Sequence, residues 1–373
     1  MNNKYKEIFK PFTFPCGVEL ASRVVMSPMT TWSGEVDGNV SDAELKYYNR
    51  RAEGLGAVIT ACTHVTENGQ GFDREFAAYS DDFIPSLAKV ADAIQEKGTK
   101  AILQIFHAGR LAPPELLPDG QPVGVSALGT GQENSVVPKE LTEEEITSII
   151  KAFGEATRRA IVAGFDGIEI HGANHYLFQQ FFSPYSNIRT DRYGGTVENR
   201  MTFSLEVIKE VQETVKKHTN KPFIIGYRLS PEEREAGGIT IEDTLLFVDK
   251  LADSGIDYIH ISLMNFFGGS ICTEDKTSIM KLINERVGNR IPLIGVGYLH
   301  TADDALLALQ TGIPLIALGR ELIMEPDWIK KVKTGEEASI RTTIQSNSKE
   351  ELVVPDQLWE RIVKTKGWFP VVE

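Results

Sequence analysis

Cysteine is nearly missing from this chain, with three in 373 residues, at Cys16, Cys62 and Cys272. Few, far apart and odd in number, they build neither a disulfide framework nor a paired-cysteine metal site, and they fit a reducing, cytoplasmic setting. Long apolar runs are missing as well. No stretch approaches the ~20 residues of a membrane-spanning helix, and the opening MNNKYKEIFKPFTFP lacks the apolar core of a secretory signal, so no membrane partner is expected. Basic charge is in deficit. Lys and Arg number 39 against 52 Asp and Glu, a formal net charge of −13. That balance argues against a nucleic-acid partner, which normally requires a basic face. Repeats and low-complexity tracts are absent too, which removes solenoid and disordered classes. What remains is a chain 42% hydrophobic and 24% charged, long enough to bury a sizeable core.

Eight short apolar or β-branched runs punctuate it: RVVMS (23–27), LGAVITAC (55–62), KAILQIF (100–106), FDGIEI (165–170), PFIIGYRLS (222–230), IDYIHIS (256–262), IPLIGVG (291–297) and IPLIALG (313–319). Near-continuous apolar strands separated by amphipathic helices are the pattern of a parallel sheet covered on both faces. KAFGEATRRAIVAG (151–164) and ADDALLALQTG (302–312) are two such helices, each ending in glycine. Eight units without a composition break predict an α/β fold, a single (β/α)8 TIM barrel over 1–373. The barrel runs from about 20 to 330 and a C-terminal extension covers 331–373. An open doubly wound sheet is the alternative. FTFPCGVELASR reads as a hairpin closing the barrel's bottom, and the Pro- and Gly-rich stretch 111–139 as an insertion after strand three.

In a barrel, chemistry belongs at the carboxyl ends of the strands. Glycines end strands seven and eight, at Gly297 and Gly319, the latter followed by Arg320. Bare backbone N–H groups and a cation there suit a phosphate. Strand four ends in HGANHYLFQQFFSP (171–184). Spacing alone leaves three readings of it. His171 and His175 supply two ligands where zinc needs at least three, unless His64, His107 or His260 joins them in space. A buried structural histidine and a catalytic group are equally compatible, and a helical turn would bring Asn174 and His175 close to His171. Gln104 with His107 ends strand three, and Ser27-Pro28-Met29-Thr30 ends strand one. Arg228 ends strand five, where a guanidinium requires an anionic or electron-rich partner such as Glu169 or a ligand. The Gln104 amide, both donor and acceptor, suits a ring with alternating N–H and C=O edges.

Taken in order, RVVMSPMT, LQIFHAGR, HGANHYLFQQFFSPYSNIRTDRYGGTVENR, GYRLSP and LGRELI resemble the old yellow enzyme family of flavin-dependent ene-reductases, bacterial in type, from about Phe12 to Trp328. The resemblance implies FMN held without a covalent link and reduced by NADH or NADPH. Hydride then passes from flavin N5 to a small-molecule α,β-unsaturated carbonyl (enone-type) substrate. It implies that Pro28, Met29 and Thr30 line the flavin, that Cys62 stands where the family has a small residue against the ring, and that Gln104 and Arg228 meet the pyrimidine edge. By the same resemblance, Gly297, Gly319 and Arg320 are expected to hold the phosphate. His171 and Asn174 match the pair that binds the substrate carbonyl, and Tyr176 matches the proton donor. His175 stands where glycine is most familiar, Thr30 replaces the cysteine of one bacterial branch, and Trp32 sits where that branch has a pocket tyrosine. KGWFP near the C-terminus resembles a tail that in that branch reaches a neighbouring subunit, with Lys366 in the reaching position, and assembly into a homo-oligomer is left open. Two other readings compete: a dienoyl-CoA reductase-like flavin enzyme, whose cysteine cluster is missing, and a phosphate-binding barrel lyase or isomerase, whose strand-end carboxylate or lysine is not evident.

Overall fold

A computed structural model describes residues 3–131 and 135–372. The eight runs become eight parallel strands: β1 Val24–Met26, β2 Ala57–His64, β3 Lys100–Phe106, β4 Gly167–Gly172, β5 Ile224–Leu229, β6 Tyr258–Ile261, β7 Leu293–Gly295 and β8 Leu315–Leu318. Each pairs with its neighbour in sequence. The sheet then closes, because β1 pairs with both β8 (Val25 opposite Ala317) and β2 (Val25 opposite Ala57). This is the expected TIM barrel, and closure excludes the open sheet. Helices α1 Asp42–Ala52, α2 Ile84–Gln95, α3 Glu143–Val162, α4 Leu177–Phe182, α5 Val197–His218, α6 Ile241–Ala252, α7 Ile279–Val287, α8 Ala302–Gln310, α9 Arg320–Met324 and α10 Trp328–Thr334 connect and follow the strands. Helix α3 begins at Glu143, before the stretch 151–164, and its buried face already includes Ile146, Ile149 and Ile150. Thr142 and Glu145 form a reciprocal capping box there, and the first turn carries three glutamates, favourable at the positive end of a helix. Among the described residues no helix is long and apolar enough to cross a membrane.

Strand alternation sorts side chains into two layers. Outward residues such as Leu103, Ile168, Ile225, Tyr227 and Ile259 join the buried cluster that includes helix residues such as Val90, Phe153 and Val207. Each fully buried side chain of this size contributes ~1.5–3 kcal/mol. Inward residues Val25, Ile59, Ile102, Ile224, Tyr258, Ile294 and Leu315 form a separate plug. The hairpin Phe12–Thr13 with Glu19–Leu20 delivers Phe14, Val18 and Leu20 into that plug, with the Phe14 and Tyr258 rings 5.5 Å apart. It closes the bottom, as its position in the sequence suggests. Beside Tyr258 only glycine fits on β5, since a Cβ at Gly226 would lie 2.1 Å from the Tyr258 ring. The insertion after β3 folds around two short paired strands, Val123–Gly124 and Lys139–Glu140, while residues 132–134 of the expected 111–139 stretch lie outside the described ones.

Candidate active site

Above the apolar plug the inward side chains turn polar. Gln104 donates from Nε2 to Glu169 Oε1 (2.7 Å), and Glu169 Oε2 faces the Tyr258 hydroxyl (2.9 Å) and His260 Nδ1 (2.9 Å). Glu169 is fully buried, and burial alone would raise its pKa. His260, Arg228 and Gln104 outweigh that, so the carboxyl sits below its ordinary value. Both Glu169 oxygens are therefore engaged without Arg228. Arg228, in Cα register with His171 on one side and His260 on the other, donates from Nη2 to Ser262 Oγ (3.2 Å). Its buried Nε has no partner among the described residues. The direct ion pair to Glu169 that would have satisfied it does not form. Burial lowers the Arg228 pKa, with Glu169 opposing from a distance. A guanidinium held this way is short of an electron-rich partner.

The loop after β1 carries Ser27, Pro28, Met29, Thr30 and Trp32. Thr30 stands close to the Cys62 thiol, and burial holds that thiol well above its ordinary pKa, so Cys62 behaves as a small packed side chain rather than a nucleophile. Met29 lines a cleft of about 460 Å³ together with Ser27, Asn174, Arg228, Gly297, Gly319 and Arg320. Gly297 sits at φ 139°, and a Cβ there would come within 2.6 Å of the Phe266 nitrogen; at Gly319 a Cβ would press on Met29 Sδ at 3.1 Å. The turn at Gly297 therefore demands glycine, and both turns leave bare backbone at the wall. Arg320 donates from Nη1 to the Trp368 carbonyl (2.9 Å) and lies over the Tyr298 ring. Two guanidinium groups and two glycines on one cleft fit FMN. Arg228 and Gln104 are available to its ring edge, and Gly297, Gly319 and Arg320 to its phosphate.

The strand-four motif does not form the helical turn that its spacing suggested. Asn174 (φ 58°) and His175 (φ 66°) adopt left-handed backbone, and α4 starts at Leu177. The turn separates the two histidines. His171 is buried, and its Nδ1 accepts from the Ala173 N–H (3.3 Å), which leaves Nε2 to carry the proton. Burial, reinforced by Arg228, pushes its pKa down to about 3. His175 turns outward instead. Its Nδ1 lies 3.5 Å from Glu233 Oε1, and that contact raises its pKa. Glu233 also takes Gln179 Nε2 (2.7 Å) and the Ser183 hydroxyl, so His175 belongs to a clasp between the β4 and β5 loops. Asn174 Oδ1 accepts from Ser262 Oγ (3.1 Å) and Ser230 Oγ (3.4 Å), which leaves its Nδ2 for a ligand. Tyr176 stands edge-on to His171 (5.2 Å between ring centroids), Phe106 (4.7 Å) and Phe72 (6.0 Å). Burial raises its phenol pKa, with Cys62 and Glu75 adding to the effect.

Met29, Asn174, Arg228, Gly297, Gly319 and Arg320 thus share one cleft wall. Cys62 and Tyr176 meet in the adjoining apolar cluster with Phe106, and Gln104 stands in register with Cys62. Trp32 sits further out, against Phe72 (5.9 Å), Trp368 (6.1 Å) and the Arg361 guanidinium. Sequence reasoning missed Tyr298, His300, Leu263, Met264 and Trp368, all on the cleft wall. Trp368 lies in KGWFP and lines this chain's own cleft, while Lys366 is exposed. Among the described residues, four of the six non-glycine residues with positive φ, Trp32, Asn174, His175 and Tyr298, cluster here, as backbone strain tends to do at functional sites.

Known proteins carry the same barrel. Residues 7–339 match the model of the NADH:flavin oxidoreductase / NADH oxidase family. The chain is 49% identical over 372 residues to the probable NADH-dependent flavin oxidoreductase YqiG of Bacillus subtilis (strain 168), an alignment that covers 99% of each chain. It is 42% identical over 358 residues to the NADH:fumarate oxidoreductase of Klebsiella pneumoniae (strain 342), covering 95% of this chain and 38% of that longer protein. Among solved structures, the old yellow enzyme homologue from Zymomonas mobilis superposes with a TM-score of 0.79 at 26% identity, over 95% of this chain and 98% of the other. With the barrel closed, a cleft that fits FMN and a family match across most of its length, this chain belongs to the NADH:flavin oxidoreductase / NADH oxidase family, enzymes that bind FMN and draw electrons from NADH or NADPH.

Proposed function

We propose that the enzyme is an ene-reductase acting on the activated C=C bond of an α,β-unsaturated carbonyl compound. The observation that carries this reading is the juxtaposition of His171 and Tyr176, with ring centroids 5.2 Å apart, beside Asn174 on the same cleft wall as Arg228. FMN, when bound, supplies the hydride chemistry, taking a hydride from NADH or NADPH and delivering one to an electron-poor carbon. Pro28, Met29, Thr30, Cys62, Gln104 and Arg228 would hold its ring system, and Gly297, Gly319 and Arg320 its phosphate.

The protein's own groups do the rest. His171, kept neutral by burial with its proton on Nε2, and Asn174, through Nδ2, donate to the substrate carbonyl oxygen and stabilise the charge that develops there as the β-carbon accepts hydride. Donors of this kind are worth ~2.7–4 kcal/mol each where measured. Neutral histidine suits the task, because a charged imidazolium would be costly at a buried site. Tyr176 delivers a proton to the α-carbon. Its raised pKa keeps the phenol protonated until a strongly basic enolate carbon faces it. Trp32 and Phe72 bound the space a substrate occupies.

The test is a two-step one. Flavin reduced anaerobically by NADH or NADPH should be reoxidised rapidly by 2-cyclohexenone, with the saturated ketone as product. Reoxidation by dioxygen or quinones, with no turnover of enones or of other activated alkenes, would overturn the assignment.

A further inference from the structure

Helix α1 sends two buried side chains, one turn apart, into the backbone that carries Thr30 and Cys62. Glu44 accepts a hydrogen bond from the Thr31 hydroxyl, and Tyr48 accepts one from the Ala61 N–H at 2.8 Å. Thr31 and Ala61 are the chain neighbours of Thr30 and Cys62, and the Thr30 side chain lies close enough to the Cys62 thiol to act on it.

The Tyr48 contact answers a particular defect. Between β2 and β3 the register runs Ile59 opposite Ile102 and resumes at Cys62 opposite Gln104. Thr60 and Ala61 therefore stand against Leu103 alone, a β-bulge. A bulge takes backbone donors off the ladder, and a buried N–H without an acceptor is costly. Side chains close both gaps here. The Gln104 N–H donates to Thr60 Oγ1 (3.2 Å), and the Ala61 N–H donates to the Tyr48 hydroxyl. The extra residue is what brings Cys62 level with Gln104, so the hydroxyl that satisfies the bulge also holds Cys62 at that height.

The Glu44 contact staples the other half of the pair. Ser33 Oγ donates to the Thr31 carbonyl (2.6 Å), Ser41 Oγ donates to the Ser33 carbonyl (2.6 Å), and Ser41 Oγ in turn accepts from the Glu44 N–H (3.3 Å) as the cap of α1. The loop bearing Met29 and Thr30 is thereby tied to the start of the helix whose next turn holds the bulge.

From these contacts we infer that Tyr48 and Glu44 are positioning residues that fix Thr30 against Cys62 and so tune the flavin this pair lines. The inference rests on the reading that Thr30 and Cys62 line the flavin. Tyr48→Phe keeps the ring in the core and removes only the acceptor for the bulge. In the FMN-loaded enzyme it should shift the visible flavin absorption band and the midpoint potential. It should also change the rate of flavin reduction by NAD(P)H by roughly tenfold or less, part of one buried hydrogen bond. Thr30→Val should shift the same observables, and the double variant should add little to Thr30→Val alone. A Tyr48→Phe enzyme with wild-type spectrum and potential, beside a shifted Thr30→Val, overturns the inference while leaving the flavin-lining reading intact. Unshifted Thr30→Val overturns that reading, and the inference falls with it. If Tyr48→Phe does not fold, Thr31→Val, which removes the hydroxyl that Glu44 accepts, is read by the same spectrum and potential and decides between the same outcomes.

Discussion

Replacing Arg228 by methionine should move two quantities in opposite directions. Arg228 is 8% exposed, its Nε lacks a partner among the described residues, and its Nη2 reaches Ser262 at 3.2 Å. In the flavin-free protein it is a buried cation without a direct counter-ion. Exchanging buried charge for an apolar side chain of similar length is often neutral or stabilising, by about 1–4 kcal/mol. A 150–250-residue domain gains about 2–4 °C in Tm per kcal/mol, and this 373-residue chain should gain somewhat less for each. Flavin binding should weaken. A hydrogen bond to a charged group is worth about 1.5–3 kcal/mol, which corresponds to FMN affinity lower by roughly ten- to a hundredfold at 1.36 kcal/mol per decade. Thermal unfolding of flavin-free wild type and Arg228→Met, together with an FMN titration followed by quenching of flavin fluorescence, measures both. A flavin-free variant that melts lower than wild type yet binds FMN equally well would refute the argument, since Arg228 would then be a satisfied structural residue.

Three further expectations follow from the site. Tyr176→Phe should slow alkene reduction by about 10²–10⁴-fold, the usual share of a general acid, while flavin reduction by NAD(P)H stays near wild type; stopped-flow measurement of each half-reaction separates the two, and equal loss in both contradicts a proton-donor role. His171→Ala should weaken binding of phenols, which mimic the enolate. Because the wild-type imidazole has its pKa pushed down to about 3 by burial and Arg228, it is neutral above that value, and wild-type phenol affinity should show no step near pH 6.5 that His171→Ala removes. Glu44, buried and near Thr31, Ser41, Glu35, Tyr47 and Tyr48, has its pKa raised to about 8, chiefly by burial. The sign follows from the raised folded value. Its contribution to stability is fully present below an unfolded pKa near 4.5 and is lost as pH climbs toward 8, by at most about 5 kcal/mol. Urea unfolding should therefore show Glu44→Gln gaining on wild type from pH 5 to pH 8, and a difference independent of pH would sink the claim.

Much of the architecture is legible in the amino-acid order alone. Strands buried on both faces are almost uninterrupted runs of Val, Ile and Leu, so all eight stand out. Several of them carry single polar residues among apolar ones, Gln104 in KAILQIF, Glu169 in GIEI, Arg228 in IIGYRL and His260 in YIHI, and alternation sets these on the inward face. His171, Asn174 and Tyr176 fall within six residues, close enough for a local motif to reveal them. Other features resist for physical reasons. The 3.6-residue period begins only where apolar residues begin, so the glutamate-rich start of α3 is invisible to it. Spacing of four residues implies one face only if the backbone is helical, and the left-handed conformations of Asn174 and His175 break that premise. The clasp of His175 to Glu233 spans 58 positions and leaves no local trace.

Composition and local pattern were thus enough to identify the barrel and to nominate the strand ends where chemistry is expected, because hydrophobic periodicity and turn residues act over a few positions. Tertiary structure alone decided how those ends meet. The bulge at Thr60–Ala61 sets Cys62 beside Gln104, and the pairing of Gln104, Tyr258 and His260 with Glu169 leaves Arg228 waiting for a ligand. The return of Trp368 to the cleft is likewise a matter of fold. Each depends on register and closure around the whole barrel, relations between residues far apart in the chain that no window of sequence contains.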